Sequence, residues 1–190
     1  MKIKTLLAAL ALGLASNASA ETYQIDPGHT QVRFQYSHFG FSTIVGLFTG
    51  ITGEVNYDPA HPEAASVKAS IPIAQVNTGV KDLDQHLASA DFFDSAAFPT
   101  AQFSSSKVEP LGENKLKVTG TLRLRDIEKE VALNVTINAA KTHPMKGRPA
   151  IGFDASSALK RSDFGVDKYA PNVSDEVKLE ITVEAIAPKP

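Results

Sequence analysis

Leu116-Lys117-Val118-Thr119-Gly120-Thr121-Leu122-Arg123-Leu124-Arg125 alternates apolar or small residues with polar ones without a break. Successive side chains of an extended chain point to opposite faces. This reading places Leu116, Val118, Gly120, Leu122 and Leu124 on a buried face and leaves Lys117, Thr119, Thr121, Arg123 and Arg125 in water. The stretch is therefore a strand of a sheet that is wet on one side.

The same rhythm extends in both directions. Upstream lie Val32, Phe34 and Tyr36, then Ile51, Gly53, Val55 and Tyr57, then Val67, Ala69, Ile71 and Ile73, then Ala101 and Phe103. Downstream lie Val131, Leu133, Val135 and Ile137, then Ile151, Phe153 and Ala155, then Val177, Leu179, Ile181, Val183 and Ala185. The count is eight strands. Gly112-Glu113-Asn114 and Asp126-Ile127-Glu128 are short enough for hairpins, which makes neighbouring strands antiparallel. A sheet of this kind has exposed edges unless it closes, so an all-β, eight-stranded antiparallel barrel is expected.

Two segments depart from the alternation. Between Val76 and Pro99, Val80, Leu83, Leu87 and Ala90 recur at helical spacing, with Thr78 placed to cap the start of a helix. The helix leads into Asp91-Phe92-Phe93 and Phe98-Pro99, and the whole reads as a short cap over one mouth of the barrel. Phe39-Gly40-Phe41-Ser42-Thr43-Ile44-Val45-Gly46-Leu47-Phe48 loses the period of two and reads as an apolar loop, a portal or a dry lid.

At the amino terminus, Lys2 and Lys4 precede the apolar run Leu6 to Ala15, which ends in Ala18-Ser19-Ala20. That is the pattern of a secretory signal peptide cleaved between Ala20 and Glu21, leaving residues 21–190 as a single domain. Removing the two lysines takes the formal net charge from −2 to −4, spread without runs, which argues against nucleic acid as a partner. The chain has no cysteine, so disulfides, thiol catalysis, thiolate metal sites and a lipid-modified cysteine are all excluded. The expected location is the periplasm, or the medium after secretion.

Alanine and glycine at inward positions 53, 69, 101, 120 and 155 leave two readings of the barrel interior. One is a packed core with small residues opposite large ones. The other is a lumen wide enough for an apolar ligand. Catalytic motifs are missing: there is no Gly-x-Ser-x-Gly turn, His-Glu-x-x-His helix or Gly-rich phosphate loop, and the five histidines are isolated in sequence. Asp82, Asp84 and His86 in the expected helix, with Asp91 just after it, are the one acid–base or metal-ligating cluster to weigh, but residues two apart on a helix do not share a face, so Asp84 and His86 do not easily converge. In Arg161-Ser162-Asp163-Phe164-Gly165, Arg161 either belongs to a structural turn or meets a polar ligand head.

Taken together, Tyr23-Gln24-Ile25-Asp26 with His29, His38-Phe39-Gly40-Phe41, Gly46-Leu47-Phe48 and Asp84-Gln85-His86-Leu87 form an ordered set of landmarks. Ser89-Ala90-Asp91-Phe92-Phe93, Phe98-Pro99 with Phe103, Gly120 to Leu124, Gly152 to Ala155 and Arg161 to Val166 continue it. In this order and spacing the chain resembles the YceI-like proteins, periplasmic lipid carriers of lipocalin-like shape. The resemblance implies a barrel lumen that holds a polyisoprenoid or related long-chain amphiphile, with no catalysis, no metal and no cofactor other than the lipid. It also implies a role in isoprenoid quinone metabolism, transport or storage.

On this basis the lumen is lined by Phe34, Tyr36, Val55, Ile71, Ile73, Phe103, Leu122, Leu133, Val135 and Phe153. Phe39, Phe41, Phe92, Phe93 and Phe164 surround the mouth. His38, His86, Asp91 and Arg161 meet the polar end of the ligand. The partners expected are a long-chain isoprenoid or fatty amphiphile, a transient membrane contact and a second copy in a homodimer. The alternatives are a lipid-acting enzyme centred on His86, Asp84 and Asp91, and an interaction module for a membrane quinone protein.

Overall fold

The computed structural model describes residues 20–189, so the expected leader, apart from its last residue Ala20, lies outside the described residues. Ten strand segments follow in order: β1 (Glu21–Ile25), β2 (Gln31–His38), β3 (Ser42–Phe48), β4 (Thr52–Tyr57), β5 (Ser66–Pro72), β6 (Thr100–Gly112), β7 (Lys115–Leu124), β8 (Ile127–Thr142), β9 (Pro149–Lys160) and β10 (Glu176–Ile186). One α-helix, α1 (Lys81–Ala88), lies between β5 and β6.

The ten segments make eight staves. Both β1 and β2 pair with the same edge of β10, Ile25 opposite Ala185 and Gln31 opposite Thr182, so they are halves of one strand interrupted at residues 26–30. Likewise β3 pairs with β2 and β4 with β1. All pairings are antiparallel, and the ring closes from β10 back to β1. Closure hides the edges that an open sheet of these strands would present.

The run from Phe39 to Phe48 is not a loop. Only Phe39, Gly40 and Phe41 turn, with positive φ at Phe39 and Gly40, and Ser42–Phe48 is strand β3 in register with β2. Ile44, Gly46 and Phe48 sit opposite the inward Tyr36, Phe34 and Val32, while the other face carries Val45 and Leu47. With apolar residues on both faces, the strand shows no alternation to read. An added Cβ at Gly46 would lie 2.2 Å from the Phe34 ring, so glycine is there to let that ring cross the strand. Gly120 does the same for Phe103 at 2.6 Å. Neither glycine therefore marks open lumen, because a neighbouring ring fills the space each one leaves.

β5 ends at Pro72 and β6 begins at Thr100, but the β3–β4 stave continues past both. In this stretch the wall is built from α1 and the turns around it, tied to the β3 edge by the reciprocal bonds Leu47 N–H to Asn77 O at 2.9 Å and Asn77 N–H to Leu47 O at 3.0 Å. Thr78 does not cap the helix; the residue at the cap is Val80. Instead Asp84 reaches back to accept hydrogen bonds from the Thr78 amide and hydroxyl, each 2.7 Å, closing the approach to the helix.

The inward side chains form two layers. One end of the barrel is plugged by a layer that includes Tyr23, Val55, Tyr57, Val108, Leu116, Val118, Val135 and Ile137. The other layer gathers Phe34, Phe48, Ile73, Leu87, Phe92, Phe164 and Val177 beneath α1.

Candidate functional site

Between the two layers lies a cavity of about 200 Å³. Strand parity aims Phe34, Phe103, Leu122, Leu133, Phe153 and Ile181 into it, and α1 with the following turn adds Leu87, Phe92 and Phe93 from above. Polar side chains on this wall are few, and most are spent on the protein itself. Thr30 Oγ1 sits 3.3 Å from the Glu184 carbonyl and Ser157 Oγ donates to Ala132 O at 2.8 Å. Tyr36 stacks on Phe34 with ring centroids 6.3 Å apart, and burial pushes its phenol above the usual pKa, so the hydroxyl stays neutral.

Arg161 also reaches this wall and is only 7% exposed. Its guanidinium donates to four backbone carbonyls: Nε to Ser174 at 2.9 Å, one terminal nitrogen to Val166 at 2.6 Å and Lys168 at 2.9 Å, and the other to Val173 at 2.7 Å. Burial lowers its pKa while Asp175, Tyr36 and Asp167 oppose the shift, and an arginine stays charged under such pressure. Its primary work is to fold residues 165–175 into the rim.

Of the lumen residues expected from sequence, Phe34, Tyr36, Ile71, Ile73, Phe103, Leu122, Leu133 and Phe153 line the cavity. Val55 and Val135 point inward but belong to the plug, below the cavity. Parity reports which face a side chain takes and says nothing of its height along the barrel. At the mouth Phe92 and Phe93 line the cavity, whereas Phe164, 1% exposed, is packed into the core behind it. Phe39 and Phe41 point outward, 49% and 93% exposed.

The expected polar contacts are also rearranged. His38 is exposed and stacks edge-on against Phe39. His86 packs against Phe92 and Tyr169 with ring centroids 4.9 Å and 6.3 Å away. Asp91 is ion-paired to Lys168, and Asp84 is held by Thr78. Each member of the Asp84, His86 and Asp91 cluster is thus committed to a different neighbour. Phe48, Val131, Leu159, Leu179 and Val183 also line the cavity wall without having been expected there, although most stand at inward parity.

The cap is held by a small set of contacts. Arg125, from the β7–β8 turn, donates to Phe92 O at 3.4 Å and Gly165 O at 3.1 Å. Lys168 pairs with Asp91, and Phe93 meets Phe48 edge-on with centroids 5.7 Å apart.

Comparison with known proteins agrees with this architecture. A UPF0312 protein of Azotobacter vinelandii is 37% identical over 190 residues, covering 97% of this chain and 98% of that protein. BcnA of Burkholderia cenocepacia superposes with a TM-score of 0.77 at 28% identity, covering 85% of this chain and 99% of the other. The Campylobacter jejuni YceI protein does so with a TM-score of 0.72 at 31% identity, covering 80% and 90%. A polyisoprenoid binding domain from Saccharophagus degradans shares the fold, with a TM-score of 0.63 at 16% identity over 87% of this chain and 98% of that one. Residues 23–185 match the YceI-like domain, a span that opens in β1, ends in β10 and takes in every stave of the closed ring, and the chain belongs to that family.

Proposed function

We propose that this protein is an exported, periplasmic carrier or store for a long apolar lipid, a polyisoprenoid or an isoprenoid quinone-like molecule, which it encloses in the barrel. The observation that carries this reading is the cavity of about 200 Å³ with an almost wholly apolar wall. An apolar void left empty costs on the order of 24 cal/mol per Å³, or about 5 kcal/mol here, a large part of the ~5–15 kcal/mol that stabilises a typical domain. A resident lipid removes that cost. The polyisoprenoid binding named for the Saccharophagus degradans domain supports the ligand class.

Burial of apolar surface, at ~25 cal/mol per Å², draws the chain in, and among the described residues the wall offers no uncommitted cationic or anionic group to a head. The polar end of the ligand is therefore left at the capped mouth. Phe39, Phe41 and Tyr169 are exposed at the same end, 49%, 93% and 50%, and form the surface for a transient contact with the membrane that supplies or takes the lipid. Exchange requires the cap around α1 to lift, because this is where strand pairing stops. Loading delipidated protein with a polyprenol tests the reading. Wild type and Leu133→Ala take it up, whereas Leu133→Asn, which places an amide in the lumen, loses most of its occupancy. Equal uptake by wild type and Leu133→Asn contradicts the assignment.

A further inference from the structure

At the plugged end of the barrel the interrupted β1–β2 stave crosses the end of β10, and three side chains of metal-ligating type converge there. The His29 Nδ1 lies 3.0 Å from the Asp26 carboxylate, and one donor atom from each of Asp26, His29 and Glu184 lies within 4.8 Å of the other two. We propose that Asp26, His29 and Glu184 form a binding site for a divalent first-row metal ion of the zinc type. The site lies on the outside of the barrel and is independent of the lumen.

The positions are set by the backbone. The Asp26 amide donates to Glu184 O at 2.8 Å, fixing the bend against β10, and the Gly28 amide donates to Asp26 Oδ1 at 2.9 Å, leaving Oδ2 directed at the imidazole. Glu184 is oriented from its other side by His143. The His143 Nδ1 accepts the amides of Met145 and Lys146 at 3.1 Å and 3.2 Å, so in the neutral ring the proton sits on Nε2. That Nε2–H donates to Glu184 Oε1 at 3.1 Å. His143 is therefore a positioning residue that holds a ligating carboxylate, the arrangement that outer partners of metal ligands commonly take.

Zinc binds imidazole and carboxylate at about 2.0–2.2 Å, which brings donors on one ion to roughly 3–3.6 Å of one another. The three donor atoms already lie within 4.8 Å of one another, and His29, with its side chain 68% exposed, is free to turn toward an ion. One imidazole with two carboxylates suits a borderline ion better than Mg²⁺ or Ca²⁺, which take oxygen ligands. Two carboxylates face one nearby cation, Lys146, so a divalent ion meets net negative charge. Three protein ligands leave a position for water, and the ion would staple the interrupted stave to β10.

The test is calorimetric titration of Zn²⁺ into the untagged mature protein, paired with thermal unfolding. We expect one ion per chain and, at tenfold excess over the dissociation constant, a midpoint raised by about 3–6 °C. His29→Ala, at an exposed position that does not threaten the fold, is expected to weaken binding at least about tenfold, and His143→Gln by about 10-fold or more. His61→Ala, whose imidazole lies 3.4 Å from Glu63 on a different loop, is expected to bind as wild type does. Equal zinc affinity in wild type and His29→Ala, no binding at millimolar zinc, or loss of binding in His61→Ala would each overturn the proposal.

Discussion

Arg161 shows how much a single side chain is asked to do at the rim. Four carbonyls from residues 166–174 converge on one buried guanidinium, and removing it strands those of the buried Val166 and Val173 away from water. Leaving buried acceptors unpaired costs ~1–3 kcal/mol each, so Arg161→Leu should destabilise the protein by at least about 2 kcal/mol in urea unfolding. A side chain that served only a lipid head would leave the midpoint unchanged. Asp175 supports the same turn: burial raises its pKa, but the Ser162 amide and hydroxyl, with Arg161 and Lys160 nearby, hold it below the usual carboxylate range. A folded pKa below the unfolded one contributes stability above pH ~4 that is lost as pH falls through the folded value. Asp175→Asn should therefore lower the unfolding midpoint at pH 7, and the gap from wild type should close as the pH drops below about 4. A constant gap at all pH values would assign the effect to packing alone. Gly46→Leu forces a side chain into the Phe34 ring and should both destabilise, by about 1–3 kcal/mol, and lower lipid occupancy.

At the scale of elements, the proposed exchange of lipid turns on the cap around α1. Arg125 ties Phe92 to Gly165, and Lys168 ties Asp91 to the rim. Arg125→Ala and Lys168→Ala should each speed exchange of a fluorescent polyene lipid without abolishing binding, and the Lys168 effect should shrink at high salt because that pair is exposed. Unchanged exchange in both variants would place the portal elsewhere. Legibility also varied by element. β7 and β10 could be read directly because one face is wet. β3 could not, because Val45 and Leu47 make its outer face apolar too, and β1, at five residues, is too short for a period to stand out. The helix between β5 and β6 was legible from its spacing, but its cap was not, since Asp84 binding back to Thr78 replaces the usual side-chain cap.

For the molecule as a whole, the closed eight-stave ring followed from one-sided strands and short hairpins. The division of its interior did not. Inward parity assigns Val55 and Leu133 to the same side of the wall, yet the first lies in the plug and the second on the cavity. Such height along the barrel depends on strand stagger, which no local pattern records. The cluster at Asp26, His29 and Glu184 was equally hidden, because β10 brings Glu184 back to the bend long after the chain has left it. The fold thus has a plugged end bearing that cluster, and a capped end bearing the exposed aromatics and the mouth.

Whether the lumen holds an apolar lipid is tested most directly by a native mass spectrum of the protein purified gently from its native host, with an organic extract of the same sample. Lipid carriage predicts a bound species whose extracted lipid shows the mass spacing of isoprene units and which is lost from Leu133→Asn. A bare protein mass, with no uptake when a polyprenol is added, would contradict it.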